Sequence, residues 1–158
     1  MSEIIEPTVN EIFIQAVQFH QKNRLENAKE LYIKILKKNP NFVSAHNNLG
    51  LVFKSIHETE KAKDCFEKAI EIDPKFFMAH NNLGVLYKDN KKYENAIKMF
   101  MKVKELQPYH QNSYYNLALI KKEQGLHKEA VDLLLKVMEI KPDHRDANIL
   151  LITTSNEL

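Results

Sequence analysis

The chain has 158 residues, enough for one folded domain, and 44% of them are apolar, which excludes global disorder. Lys and Arg total 23 against 21 Asp and Glu, a net charge of +2, and that near-balance argues against a dedicated nucleic-acid binder, which carries a strongly basic face. The single cysteine, Cys65, excludes an internal disulfide and reads as a packed helix thiol.

In chain order, residues 1–8 form an N-terminal segment. Met1–Pro7 has no basic region followed by an apolar run, so no signal peptide is expected, and nowhere do ~18 uninterrupted apolar residues occur to span a membrane. The expectation is a soluble cytoplasmic protein. From residue 9 the chain repeats. Pro40, Pro74, Pro108 and Pro142 each fall 34 residues after the last, which divides the chain into units 9–42, 43–76, 77–110 and 111–144, with 145–158 as a C-terminal helix that caps the array or opens a fifth unit.

With the proline set as position 32, other positions keep the register. Position 20 is Ala28, Ala62, Ala96 and Ala130, and position 8 is Ala16, Gly50, Gly84 and Ala118. Position 24 is Tyr32, Phe66, Phe100 and Leu134; position 11 is Phe19, Phe53, Tyr87 and Lys121; position 7 is Gln15, Leu49, Leu83 and Leu117. Strand alternation is absent, and the apolar set Leu83, Leu86, Tyr87 has helical spacing, as does Ala96, Ile97, Phe100, Val103. Each unit therefore reads as helix A (positions 1–14), a short turn, and helix B (18–31). Gly125 falls at such a turn, where positive φ is cheap. The proline stops helix B and suits the first turn of the next helix A. Small residues at 8 and 20 let the two helices approach, so Gly84 is expected to accept Ala but not Leu.

This pattern resembles the tetratricopeptide repeat family, with its Leu-Gly…Tyr…Ala…Phe…Pro signature, over residues 9–144. The departures are position 4, where Ile12, His46, His80 and Tyr114 replace the usual Trp, and the residues Gln15 and Lys121. The resemblance implies an all-α, right-handed solenoid of four repeats plus a C-terminal helix, with helix A lining the concave side. Positions 2, 5, 9 and 12 then share one helix face. Position 5 gives Phe13, Asn47, Asn81 and Tyr115, and position 6, at the edge, gives Ile14, Asn48, Asn82 and Asn116. Position 9 gives Val17, Leu51, Val85 and Leu119, and position 12 gives His20, Lys54, Lys88 and Lys122.

Twelve of these are the candidate peptide-binding residues: Asn47, Asn48, Leu51, Lys54, Asn81, Asn82, Val85, Lys88, Tyr115, Asn116, Leu119 and Lys122. Carboxamides offer donors and acceptors to an extended main chain, aliphatics offer burial, and lysines attract acidic side chains. The row Asn48, Asn82, Asn116 is similar to the asparagine ladder of the nucleocytoplasmic O-linked N-acetylglucosamine transferase superhelix; ordinary solvated asparagines would give the same row. The family's two-carboxylate clamp is not matched, because neither Phe13, Val17, Asn48, Met78, Asn82 nor the set one unit later supplies its cations.

No metal, phosphate-loop or nucleophile motif occurs, so no cofactor, metal or catalytic residue is expected. His46 and His80 occupy one slot in adjacent units, about 10 Å apart, too far to share a zinc ion; His57, His110, His127 and His144 read as solvated. The expected function is a non-enzymatic module that binds an extended segment of a protein partner. The alternatives are the substrate-recruiting N-terminal part of a larger group-transfer enzyme, glycosyltransferase-like, and a self-assembling scaffold. Ile149, Leu150, Leu151 and Ile152 cover more than one face of the last helix, so either self-association through that edge or a chain cut from a longer protein is expected.

Overall fold

The computed structural model describes residues 7–157; residues 1–6, on which most of the leader reading rests, lie outside them. Every described element is an α-helix: α1 (Val9–Gln21), α2 (Leu25–Lys38), α3 (Val43–Ser55), α4 (Thr59–Ile72), α5 (Phe77–Asp89), α6 (Tyr93–Leu106), α7 (Gln111–Glu123), α8 (His127–Ile140) and α9 (Arg145–Ser155). Helix A spans positions 1–13 and helix B positions 17–30 in all four repeats, within one residue of the expected bounds.

Both turns repeat as strictly as the helices. Position 15 lies in the left-handed region four times, at Asn23 (φ 55°), His57 (φ 63°), Lys91 (φ 57°) and Gly125 (φ 72°). Around His57, the Glu58 N–H donates to the Phe53 carbonyl at 2.9 Å and the His57 N–H to the Lys54 carbonyl at 3.1 Å; the same pair of bonds closes the other three turns. This arrangement satisfies two carbonyls that a helix end leaves open. Only the fourth repeat uses the residue that adopts this conformation without strain.

The proline acts differently from the expectation. Helix B already ends at position 30, and the next helix A starts three residues after the proline, so position 32 belongs to neither. The restraint falls on the residue ahead of it. Asn39, Asp73, Gln107 and Lys141 are all extended, with φ from −132° to −139°, because the proline ring excludes the helical region for its predecessor. A tight turn follows, as in Phe42 N–H to Asn39 carbonyl at 3.2 Å, with proline at its second position.

The Cα packing forms two compact units, Met1–Ala79 and His80–Leu158. In the first, successive helices pack as α1 on α2, α2 on α3 and α3 on α4; in the second, α6 packs on α7, α7 on α8 and α8 on α9. Helix B buries positions 20, 24 and 27, one stripe at i, i+4, i+7: Ala28, Tyr32, Ile35 in the first repeat and Ala96, Phe100, Val103 in the third. Helix A buries positions 3, 7, 8 and 10, as in Ser113, Leu117, Ala118 and Ile120. In α1 the corresponding Glu11, Gln15 and Gln18 are exposed, which gives the departure at Gln15 a role as a polar outer edge. A capping box holds the start of that helix: Thr8 N–H donates to the Glu11 carboxylate at 2.7 Å, and Glu11 N–H to Thr8 Oγ1 at 3.3 Å. The Thr8 N–H and the Thr8 hydroxyl, which donates to the same carboxylate at 2.9 Å, hold the Glu11 carboxyl below its usual pKa.

The close approach at position 8 is tighter than the sequence suggests. A Cβ placed on Gly84 would lie 2.8 Å from Phe100 Cε1, and one on Gly50 would lie 2.7 Å from Phe66 Cε1, both rings being fully buried. Alanine is therefore not free at these sites. Its gain in helix propensity is about 1 kcal/mol, against about 1–3 kcal/mol for overpacking. Gly84→Ala should lose about 1 kcal/mol net and Gly84→Leu about 3 kcal/mol in urea titrations. The fourth repeat pairs Ala118 with Leu134. Adding Phe100→Leu to Gly84→Ala should therefore recover part of the loss, with a coupling of about 0.5–1 kcal/mol. Additive single effects would show that the ring does not set this distance.

The left-handed turns give a change of opposite sign. A side chain there costs about 1–2 kcal/mol, and glycine's larger unfolded entropy returns about 0.5–1 kcal/mol of it. His57→Gly should stabilise the chain by about 0.5–1 kcal/mol. A lower melting temperature for this variant would contradict the turn geometry.

Candidate functional site

In the first unit the candidate asparagines belong to a relay. Asn47 is buried, 4% exposed, and its Nδ2 donates to Asn48 Oδ1 at 3.1 Å. Asn48 is half-buried and donates from Nδ2 to the hydroxyl of Tyr32 at 3.3 Å. Tyr32 is a core residue with no exposed surface, and burial raises its pKa while the bond from Asn48 works against that shift. Asn48 thus has a structural duty as well as a position on the helix A face. Phe13 leans on Tyr32 and Phe42, ring centres 6.0 and 5.0 Å away. His20, at position 12, meets Tyr32 edge-on at 6.3 Å, and burial holds its pKa below the usual histidine value. Leu51 and Lys54 are half-buried.

In the second unit Asn81, Asn82 and Asn116 are half-buried, and Asn116 donates to the Asn112 carbonyl one turn back at 3.0 Å. Val85 packs against the cluster of Ala96, Phe100, Leu117 and Ile120, so much of its surface serves the core. Lys88 and Leu119 come together: both line an open cavity of about 390 Å³, with Asp89, Lys91, Tyr93, Ile120 and Glu123. Sequence reasoning chose the first two and missed the rest. Asp89 ends helix A off the chosen stripe, and Lys91 and Tyr93 come from the turn after it and the start of helix B, which a stripe argument confined to helix A does not reach. Lys88 Nζ lies 3.4 Å from Asp89 Oδ1. Tyr115 packs on the His144 ring at 5.2 Å and lines a second cavity of about 250 Å³ with Asp146, Ile149, Leu150 and Thr153. Burial, then the Asp146 charge, raises the Tyr115 pKa. Lys122 lies 3.2 Å from the Glu157 carboxylate.

Position 4 explains itself in the structure. His46 Nε2 lies 2.8 Å from the Pro40 carbonyl, and Tyr114 donates its hydroxyl to the Pro108 carbonyl at 2.9 Å. In place of Trp, these rings pin the turn that precedes their own helix. Three histidines expected to be solvated are half-buried instead. His110 caps α7, and burial lowers its pKa; His127 pairs with Glu157; His144 accepts the Ala147 N–H at the start of α9 at 3.2 Å. Cys65 is half-buried with its thiol pushed up to about 11 by burial and then Asp64, which keeps it protonated and unreactive. Among the described residues no three His, Cys, Asp or Glu side chains are placed to hold a metal ion, and no helix is long and apolar enough to cross a membrane.

Family models described as Tetratricopeptide repeat match residues 43–76 and 76–143. Comparison with curated proteins gave no match. Among solved structures, the chain is similar to the MamA protein, with a TM-score of 0.83 at 22% identity over 94% of this chain and 81% of that one. PilF of Pseudomonas aeruginosa gives 0.88 at 20% identity over 94% and 68%. A MamA segment from Desulfovibrio magneticus RS-1 gives 0.77 at 22% over 87% and 77%. At these identities the likeness concerns the fold, an all-α solenoid class. With its 34-residue register kept in every helix and turn, and the family's models matched in succession from residue 43 to residue 143, the chain belongs to the tetratricopeptide repeat family.

Proposed function

We propose that this chain is a protein-interaction module that holds an extended segment of a partner protein along its helix A faces. The observation that carries the proposal is the cavity of the second unit. There a position-12 lysine of one repeat, Lys88, and a position-9 aliphatic of the next, Leu119, line one open space. Lysine and aliphatic side chains together suit a segment that alternates acidic and apolar residues. Asn82 and Asn116, on the same two helices, supply donors and acceptors for its main chain. Asp89 and Glu123 at the cavity wall temper the positive charge, so a uniformly acidic segment fits less well than a mixed one. The proposal assigns the chain no catalytic role, cofactor, nucleic acid or membrane partner, and places it in the cytoplasm.

One observation favours a second reading, self-association through the C-terminal edge. Ile149 and Ile152 are 56% and 57% exposed on α9, while Leu150 and Leu151 pack against the last repeat. A role as the recruiting part of a larger group-transfer enzyme is compatible with the same surface.

The test uses a labelled short peptide alternating valine and aspartate, read by fluorescence anisotropy. Asn82→Ala and Asn116→Ala should each weaken binding by about 0.5–1.5 kcal/mol with the melting temperature unchanged. Asn48→Ala should instead lower the melting temperature as well, because the buried Tyr32 hydroxyl loses its partner, at about 1 kcal/mol. Binding should weaken with added salt, since exposed charges are screened beyond about 8 Å at physiological ionic strength. A double Asn82→Ala, Asn116→Ala variant that binds like the parent would refute the main-chain role of the row.

A further inference from the structure

The last residues of the chain return to the fourth repeat. Thr154, with no exposed surface, anchors the end of α9, and Glu157 N–H donates to the Thr154 carbonyl at 3.1 Å. The Glu157 carboxylate is then held on two sides. Oε1 lies 3.2 Å from Lys122 Nζ and Oε2 lies 3.0 Å from His127 Nδ1. Lys122 sits in the last turn of α7, and His127 opens α8, where unpaired N–H groups favour negative charge. Side-chain exposure is 26% for Lys122 and 30% for His127, so both groups are partly shielded, while Glu157 at 43% stays open to exchange. Beside them lies a depression of about 450 Å³ whose wall includes Leu126, Lys128 and Glu129. Glu129 is itself engaged by Lys121 at 2.7 Å, so its charge is partly offset.

No other repeat combines these residues. Position 17, where His127 stands, is Leu25, Thr59 and Tyr93 in the earlier units, and Lys88 meets its own neighbour Asp89. The site also differs from the family's two-carboxylate clamp, whose positions carry no cations here.

We infer that Lys122 and His127 form a carboxylate-binding site that Glu157 fills in the unliganded chain, and that an acidic side chain of a bound partner segment displaces it. The inference rests on the peptide-holding reading above. Glu157 is then an internal competitor: it masks one lysine of the binding row until a carboxylate of higher effective concentration arrives. Exchange of one carboxylate for another leaves the Lys122 ammonium paired throughout, so the masking costs little stability and sets a threshold of affinity.

The experiment measures the valine–aspartate peptide against the full chain at low salt, with a valine–serine peptide as the neutral probe. Glu157→Gln should tighten the acidic peptide about two- to fivefold, the range that one partly exposed ion pair supports. It should leave the serine peptide unchanged. In a Lys122→Gln background the Glu157→Gln change should have no further effect. If the parent binds the acidic peptide through Asn82 and Asn116 but Glu157→Gln binds it equally, this inference fails and the peptide-holding reading stands. If neither parent nor variant binds, both fail. Equal tightening with Lys122 present or absent, or with the serine peptide, would mean a general charge effect and would overturn the site.

Discussion

The structure depends on one contact made in every repeat: a residue with little or no side chain at position 8 of helix A against the large side chain at position 24 of helix B. In the second and third repeats the distance leaves no room even for a methyl group, and glycine is the outcome. The contact sets how close the two helices lie, and that distance decides which faces remain. From the second repeat on, positions 3, 7 and 10 turn to neighbouring helices and are apolar except at Ser113 and Thr154; positions 5, 6, 9 and 12 are left at the margin, half-buried in most cases. The candidate face is thus what the packing leaves over. Because each helix packs chiefly on its sequence neighbours, stability builds up as a sum of local interfaces.

That locality explains what could be read from the chain. The helices and their register were legible because a period of 34 fixes each element four times over, and errors at one residue do not propagate. The proline and turn details were less legible. Proline's effect falls on its predecessor's backbone, and the left-handed residue of the A–B turn is disguised as Asn, His and Lys in three repeats out of four. Periodicity alone flagged only Gly125. Comparing position 15 across repeats exposes nothing chemical in common, since the requirement is conformational and three of the four repeats meet it under strain.

The site was legible as a set of positions and less so as a set of free groups. Spacing puts Asn48 on the candidate face, but spacing cannot see that its amide bonds a buried tyrosine hydroxyl from the previous helix. The first repeat alone carries tyrosine at position 24; phenylalanine and leucine elsewhere have no hydroxyl to satisfy. The same asparagine type therefore takes different partners: Asn48 serves a buried hydroxyl, while Asn116 turns to a carbonyl of its own helix. The lysines divide in a similar way. Lys88 and Lys122 occupy the same position, yet one meets a carboxylate on its own helix and the other meets one from the chain's end.

The first and last described helices, α1 and α9, differ in what they leave exposed. On α1 positions 3, 7 and 10 are Glu11, Gln15 and Gln18, all polar and exposed. On α9 the residues facing the fourth repeat are Ala147, Leu151 and Thr154, and these are packed. Position 8 of α9, however, is Ile152, 57% exposed, where every complete repeat has Ala or Gly. Since a single added carbon at Gly50 or Gly84 already meets the facing ring below 3.0 Å, a branched four-carbon side chain cannot receive a helix B seated as closely as the other four.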